Sequence, residues 1–285
     1  MEIFYDLEGM QKWCLNHKLR GKKIGLVPTM GYLHAGHLAL VKEAGIFCDI
    51  VVVSIFVNPL QFGQGEDFSE YPRDLSQDIS LLEAEKVQAV FAPQARDMYP
   101  LGYNTFLEVT GSMTDKLCGK SRPGHFRGVT TVVGKLFNIC QPDLAFFGQK
   151  DIQQLIIIEK MVREFNFPLE IIRVPIVREN DGLAISSRNV YLSKPQREAS
   201  LILNKALQLA KKLIADGERK AEVLRQKLTS LIESEQEAFI DYIGIVDEVD
   251  LANLSDLTEA QGKVIVALAV KIGNTRLIDN LLVEV

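Results

Sequence analysis

The stretch from Pro28 to His37, P-T-M-G-Y-L-H-A-G-H, sets His34 and His37 three residues apart in a chain with four histidines. Across a first helical turn, side chains at that spacing point the same way. Imidazoles can take a proton near neutral pH, which suits charge building on the oxygens of a transferring phosphate. Gly31 and Gly36 let the main chain turn tightly and approach a ligand without a Cβ clash. The pair could also cap a helix or ligate a metal. A metal site wants a third His, Cys or carboxylate at ligand spacing, and His17 and His125 do not supply it.

Further segments carry groups suited to the same chemistry. Gly148, Gln149, Lys150 and Asp151 form a second strand-to-helix turn, where Lys150 could meet phosphate and Asp151 ribose hydroxyls. Ser186, Ser187 and Arg188 unite two hydroxyls and a guanidinium, a set able to clamp phosphate. Gln61 follows a strand at the end where ligands lie in open α/β sheets, and a neutral amide can donate without adding charge. Gln154 opens a helix just past Asp151. Taken singly, each has a plainer reading as a loop glutamine, a solvated lysine or an exposed turn. Arg122, His125 and Arg127 make a basic loop whose role stays open between a lid edge and a subunit contact. No G-x-G-x-x-G follows the first strand. Gly128 to Gly134 misses the P-loop, with five residues between the glycines and Leu136 where Ser or Thr belongs. It reads as a helix with small packing residues.

These groups need elements to hold them. Apolar patterning predicts strands over 23–27 (stopped by Pro28), 50–56, 87–91, 105–109, 144–147 and 169–174. Helices are expected over 38–47, 74–86 (capped by Asp74), 129–140 and 151–165, with loops over 58–72 and 111–128. Such alternation favours a parallel sheet with right-handed crossovers. After about Val177 the character changes. Residues 195–235 favour helix, broken at Asp216-Gly217, and 240–246 and 264–270 favour strand. The expectation is an α/β, Rossmann-like doubly wound parallel sheet over 1–176 and a smaller α+β domain over 177–285.

At roughly 150 residues per domain, a length of 285 suggests about two. Hydrophobic residues at 47% and charged residues at 24% exclude wholesale disorder, collagen or coiled coil. A net charge of −5 speaks against broad nucleic-acid binding. The four cysteines form no C-x-x-C pair, so neither a disulfide framework nor a zinc knuckle follows. The longest strongly apolar run, 50–57, is interrupted by Ser54 and far short of the ~20 residues of a membrane span. A soluble, reduced, cytoplasmic protein without a nucleic-acid or membrane partner is expected.

Six motifs occur in order: residues 28–37, 56–62 (F-V-N-P-L-Q-F), 71–73 (Y-P-R), 122–128 (R-P-G-H-F-R-G), 147–151 (F-G-Q-K-D) and 181–189 (D-G-L-A-I-S-S-R-N). Together they resemble the pantothenate synthetase (pantoate–β-alanine ligase) family. That family belongs to the H-x-G-H nucleotidylyltransferase superfamily, related in fold to class I aminoacyl-tRNA synthetases. The resemblance implies that ATP, (R)-pantoate and β-alanine become pantothenate, AMP and diphosphate by way of pantoyl adenylate.

It also implies ATP contacts from Met30, Gly31, Tyr32, Leu33, His34, Ala35, Gly36 and His37. Further ATP contacts are implied at Gly148, Gln149, Lys150 and Asp151, and at Val177, Ile185, Ser186, Ser187 and Arg188. His34, His37, Lys150, Ser186, Ser187 and Arg188 would be catalytic, with His37 as proton donor. Pantoate would meet Gln61 and Gln154, and β-alanine Gln61. Gln149 stands where many such families carry Glu; a main-chain contact there makes little difference expected. ATP chemistry implies Mg²⁺, whose ligands stay unassigned; Asp74 and Asp78 are nearby carboxylates that could equally be helix-surface acids. Tyr71 to Arg73 reads as structural. A homodimer and a C-terminal domain that closes the site are implied as well. The alternative is a nucleotidylyltransferase acting on a small phosphorylated alcohol.

Overall fold

A run as apolar as residues 50–55 suits a strand covered on both faces, and it becomes an inner strand of a six-stranded parallel sheet. The computed structural model describes residues 1–285. The chain runs β1 (Glu2–Phe4), α1 (Leu7–Leu19), β2 (Ile24–Thr29), α2 (Ala35–Phe47), β3 (Ile50–Ile55), α3 (Leu75–Ala84), β4 (Ala89–Phe91) and α4 (Ala95–Met98). It continues through α5 (Cys118–Ser121), α6 (His125–Cys140), β5 (Leu144–Gly148), α7 (Ile152–Glu164) and β6 (Glu170–Val174). Strand order is β1-β4-β3-β2-β5-β6, with every pairing parallel. From β2 the chain winds outward through β3 and β4, then returns to β5 on the other side of β2. That reversal is a topological switch point, and open α/β sheets take ligands beyond the carboxyl ends of the strands that flank it.

Alternation along the strands assigns the two faces. Val27, Val51, Val53, Val90, Leu144 and Phe146 pack with Leu40, Val41 and Ala44 of α2 and Leu82 of α3. Leu26, Val52 and Ala145, all fully buried, point the other way. α1 and α6 pack on each other and on β2.

Several expectations shift. β2 runs through Pro28 to Thr29 instead of stopping before it. Thr29 O accepts from Phe56 N, so position 28 faces β5, whose pairing with β2 ends at Leu26 and Ala145. The β2–β5 ladder does not extend to position 28, and proline is tolerated there. Residues 103–110 form no strand. Leu107 is held instead by hydroxyls: its N–H donates to Thr131 Oγ1 (3.1 Å), and its carbonyl accepts from Thr130 Oγ1 (2.6 Å). The Gly128–Gly134 stretch lies inside α6, among buried packing residues.

Contacts divide the chain into two compact units. The first comprises Met1–Val109, Arg122–Gln149 and Ile157–Pro175; the second, Thr110–Ser121, Lys150–Ile156 and Ile176–Val285. The long break thus falls at residues 175 and 176, while two earlier segments pack with the second unit. That unit adds α8 (Lys194–Ala199), α9 (Ile202–Ala215), α10 (Ala221–Ile232), β7 (Ala238–Asp247), β8 (Val264–Ile272) and β9 (Thr275–Val283). The last three make an antiparallel sheet in the order β7-β8-β9. Leu203, Leu207, Ala210, Leu224 and Leu228 pack against Val264, Val266, Leu268 and Val270 of β8.

Candidate active site

In the first unit, the turn leaving β2 is shaped by a carboxylate beneath it. Asp78 on α3 is buried, and its two oxygens accept from Tyr32 N (2.9 Å) and Leu33 N (2.6 Å). Burial pushes its carboxyl above the usual range despite these two bonds. Gly31 has φ +80°, and a Cβ there would lie 2.9 Å from Asp78 Oδ2 and from Ile55 Cγ2. Tyr32 also adopts a left-handed φ, 51°, which the two bonds from Asp78 to this turn support. Thr29 Oγ1 donates to Ser54 O (2.7 Å) and accepts from Gly31 N (3.1 Å).

His34 is the N-cap of α2. Gly36 N donates to His34 Nδ1 (3.2 Å), and His34 N donates to His37 Nδ1 (3.4 Å), a reciprocal capping box built from two imidazoles. The rings stack with centroids 4.0 Å apart. A nitrogen that accepts from an N–H carries no proton of its own, so this pattern puts each ring's proton on Nε2. The helix start and the two donors are therefore one arrangement, so the capping reading leaves the phosphate reading open. Gly36 is helical, and its missing Cβ makes room for the His34 ring: a Cβ would sit 3.0 Å from His34 Nδ1.

Gln61 ends a single turn of 3-10 helix, Pro59–Gln61, capped by Asn58. Its amide nitrogen lies 3.1 Å from Met30 Sδ, so the structure brings Gln61 to the start of the histidine turn. Asn58, buried, donates to Gln61 Oε1 (3.2 Å) and Gly128 O (3.0 Å), and its own oxygen accepts from Tyr99 OH (2.8 Å). Gly148 closes β5, the strand beside β2, and a Cβ built on it would meet nothing within 4 Å. Asp74 caps α3 by accepting from Gln77 N (2.9 Å). Asp78 is thus no surface acid, and Asp74 is a helix cap. Asp78 was the residue whose weight the sequence hid, because a buried acid under a loop and an exposed one on a helix leave the same pattern.

In the second unit, Lys150 and Ser186 line one small cavity with Leu183, Ala184 and Asp279. Lys150 O accepts from Asn280 Nδ2 (3.0 Å). Ile185 N donates to Val177 O (3.0 Å), and Arg178 pairs with Ala184, so residues 177–185 fold back as a narrow loop. Arg178 braces it with two bonds to buried Asp279 (2.6 and 2.8 Å) and one to Gly182 O (3.0 Å). Ser186 caps the 3-10 turn Ser187–Tyr191, accepting from Arg188 N at 3.3 Å. Gln154 follows Gln153, whose amide is fully engaged: it accepts from Cys118 N (2.9 Å) and donates to Met113 O (2.9 Å) and Lys116 O (2.8 Å). Asp151 is exposed in the 3-10 turn Gln149–Asp151.

No group of three or more His, Cys, Asp or Glu side chains in the chain is placed to hold a metal ion. No helix is long and apolar enough to cross a membrane.

The family model described as Pantoate-beta-alanine ligase matches residues 2–282. The chain belongs to the pantoate–β-alanine ligase family. It is 63% identical over 285 residues, all of both chains, to the pantothenate synthetase of Syntrophomonas wolfei, and 55% identical over the full length of that of Heliobacterium modesticaldum. The crystal structure of pantothenate synthetase from Thermus thermophilus superposes with a TM-score of 0.92 at 43% identity, covering 99% of each chain. A pantoate–β-alanine ligase from Francisella tularensis, solved in complex with β-γ ATP and β-alanine, superposes at 0.80 with 36% identity, covering 99% of this chain and 97% of that one. The fold is that of the family, and the activity is the ligation of pantoate to β-alanine. The alternative of a nucleotidylyltransferase acting on a phosphorylated alcohol is not favoured by these matches.

Proposed function

We propose that this ligase uses ATP in two steps. Pantoate carboxylate attacks the α-phosphorus, the bond to the β-phosphate oxygen breaks, and diphosphate leaves. The amine of β-alanine then attacks the acyl carbon of pantoyl adenylate, loses a proton, and AMP departs with the electron pair of the acyl–oxygen bond. Neither step needs a nucleophilic side chain, so positioning and charge stabilisation carry the rate. The Francisella relative supports ATP and β-alanine as substrates.

One observation carries the assignment of residues: the paired histidines open a helix just past β2, at the sheet's switch point, with Gln61 against Met30. Met30 to His37 cradle ATP, and the Nε2–H groups of His34 and His37 donate to its phosphates. His37 acts on the departing diphosphate. Gln61 orients pantoate and then β-alanine, and Gln154 pantoate. Gly148 to Asp151 serve the nucleotide, as do Val177 and Ile185 to Arg188, with Lys150, Ser186, Ser187 and Arg188 on the phosphates. Mg²⁺, implied by ATP chemistry, would neutralise triphosphate charge when bound, and no protein ligands are assigned to it. The chain works in the cytoplasm, where its four unpaired cysteines stay reduced. It pairs with a second copy, a reading that exposed Leu101 and Phe106 support.

The test separates the half-reactions. ATP with pantoate should release diphosphate in a burst, and AMP should appear only when β-alanine is added. Steady AMP release without β-alanine, or no diphosphate burst, would overturn the scheme.

A further inference from the structure

The R-P-G-H-F-R-G segment has no place in the scheme above, yet it packs on the turn that carries Gln61. Arg122 grips Glu66 through Nε–Oε1 (2.8 Å) and Nη2–Oε2 (2.5 Å), and Nη2 also donates to Gln61 O (3.3 Å). His125 Nδ1 lies 2.8 Å from the same carbonyl oxygen, and its Nε2 lies 3.1 Å from Arg122 Nη1. A carbonyl can only accept and a guanidinium can only donate. Nδ1 therefore carries the ring proton and Nε2 the lone pair. Three residues on, a Cβ at Gly128 would stand 2.3 Å from Leu60 O and 2.6 Å from Gln61 N, a closeness that only glycine permits. Gly128 O accepts from Asn58 Nδ2, which also reaches Gln61 Oε1. The Gln61 carbonyl is thus held by Arg122 and His125, and its amide by Asn58, which Gly128 O of α6 in turn holds.

We propose that Arg122 and His125 are positioning residues for the ligation, holding the main chain of Gln61 so that its amide addresses pantoate and β-alanine. This rests on the assignment of Gln61 to those two substrates. Loss of the Nδ1–H donor leaves a half-buried carbonyl short of one partner, and the turn relaxes away from the geometry the amide needs. Displacing a binding group by about 1 Å can cost up to ~10²-fold.

The test compares His125→Asn, whose amide N–H can stand where Nδ1–H stood, with His125→Gln, whose amide reaches the Nε2 position. His125→Gln should raise KM for pantoate and β-alanine by roughly tenfold, leave that for ATP within about twofold, and be largely rescued by His125→Asn. A purely structural role would lower Tm in both variants without separating the substrates. Equal kinetics for the two variants, or a loss confined to ATP, overturns the proposal. Gln61→Ala, measured alongside, keeps the two failures apart. If it leaves both acceptor-substrate KM values unchanged, the Gln61 assignment falls and the positioning role with it. If it raises them while His125→Gln does not, only the positioning role falls. Should His125→Gln not fold, Arg122→Lys keeps a charge beside Glu66 but loses the Nη2 bond to Gln61 O, and the same expectations apply.

Discussion

Two turns in this molecule are assigned to phosphate, and they are shaped in opposite ways. The Met30–His37 turn has its buried support beneath the tip, where both oxygens of Asp78 hold consecutive N–H groups and a capping box ties the rings to the helix. The Ile185–Arg188 turn has its support at the root, in the two bonds between Arg178 and Asp279. The first arrangement fixes where donors point. The second fixes where a loop is anchored and leaves its tip to local caps such as Ser186. Fixed donors suit charge that always develops in one place, whereas an anchored loop suits contacts that form with the ligand.

Substitutions can break or sharpen this contrast. The largest effect is expected from Arg178→Leu, which strands buried Asp279 without its cation. It should cost about 3–5 kcal/mol in chemical denaturation. A loss under about 1 kcal/mol would show that the root is not what holds the second turn. Next comes His37→Ala, which removes a preorganised donor worth about 10²–10³ in rate. Pre-steady-state formation of adenylate should slow at least tenfold while the circular dichroism spectrum is retained, and an undiminished burst would take His37 out of the reaction. Asp78→Asn turns one acceptor into a donor facing an N–H. It should cost about 1–3 kcal/mol of stability and raise the KM for ATP more than that for β-alanine. A variant matching the parent in both would show that the tip needs no carboxylate. Arg188→Ala should slow adenylate formation by roughly tenfold, the scale of one charge-assisted contact, and slow β-alanine attack little. The reverse pattern in single-turnover experiments would sink the clamp.

The smallest effect is a pH signature at Glu66. Burial pushes its carboxyl up, but hydrogen bonds and charge from Arg122 bring it below the ordinary value. Its contribution is therefore present above the unfolded value of about 4.3 and lost as pH falls through the lowered folded value. Glu66→Gln should be less stable than the parent near pH 7 by about 1 kcal/mol or less, with the gap closing in strong acid. A gap that widens on acidification would contradict the pairing.

Much of this architecture was legible in the sequence because it rests on period and punctuation. β3 and β5 announce themselves as short apolar blocks, and the helix capped by Asp74 shows its start. What escaped was set by partners distant in sequence. β1 is three residues long and exists through its pairing with β4. β9 carries buried Asp279 and Asn280, polar residues that break the apolar pattern yet serve Arg178 and Lys150 O. α1 is a weakly patterned helix whose start depends on Asp6 accepting from Gly9 N (2.6 Å). Residues 105–109 have the composition of a strand, but Thr130 and Thr131 take the backbone groups a neighbouring strand would need. At the site, residue types were readable and their supports were not. The histidines and Asn58 stand in motifs, while Asp78 and Arg178 act through geometry alone.

The stacked imidazoles have one more consequence. Each inner ring nitrogen is already committed to a peptide hydrogen, so in the proposed role the pair would meet phosphate through two Nε2–H dipoles. Donors of that kind would steady a polyanion as it forms without gripping it once it has separated, and the feature that aids bond breaking would not stand in the way of the product's escape.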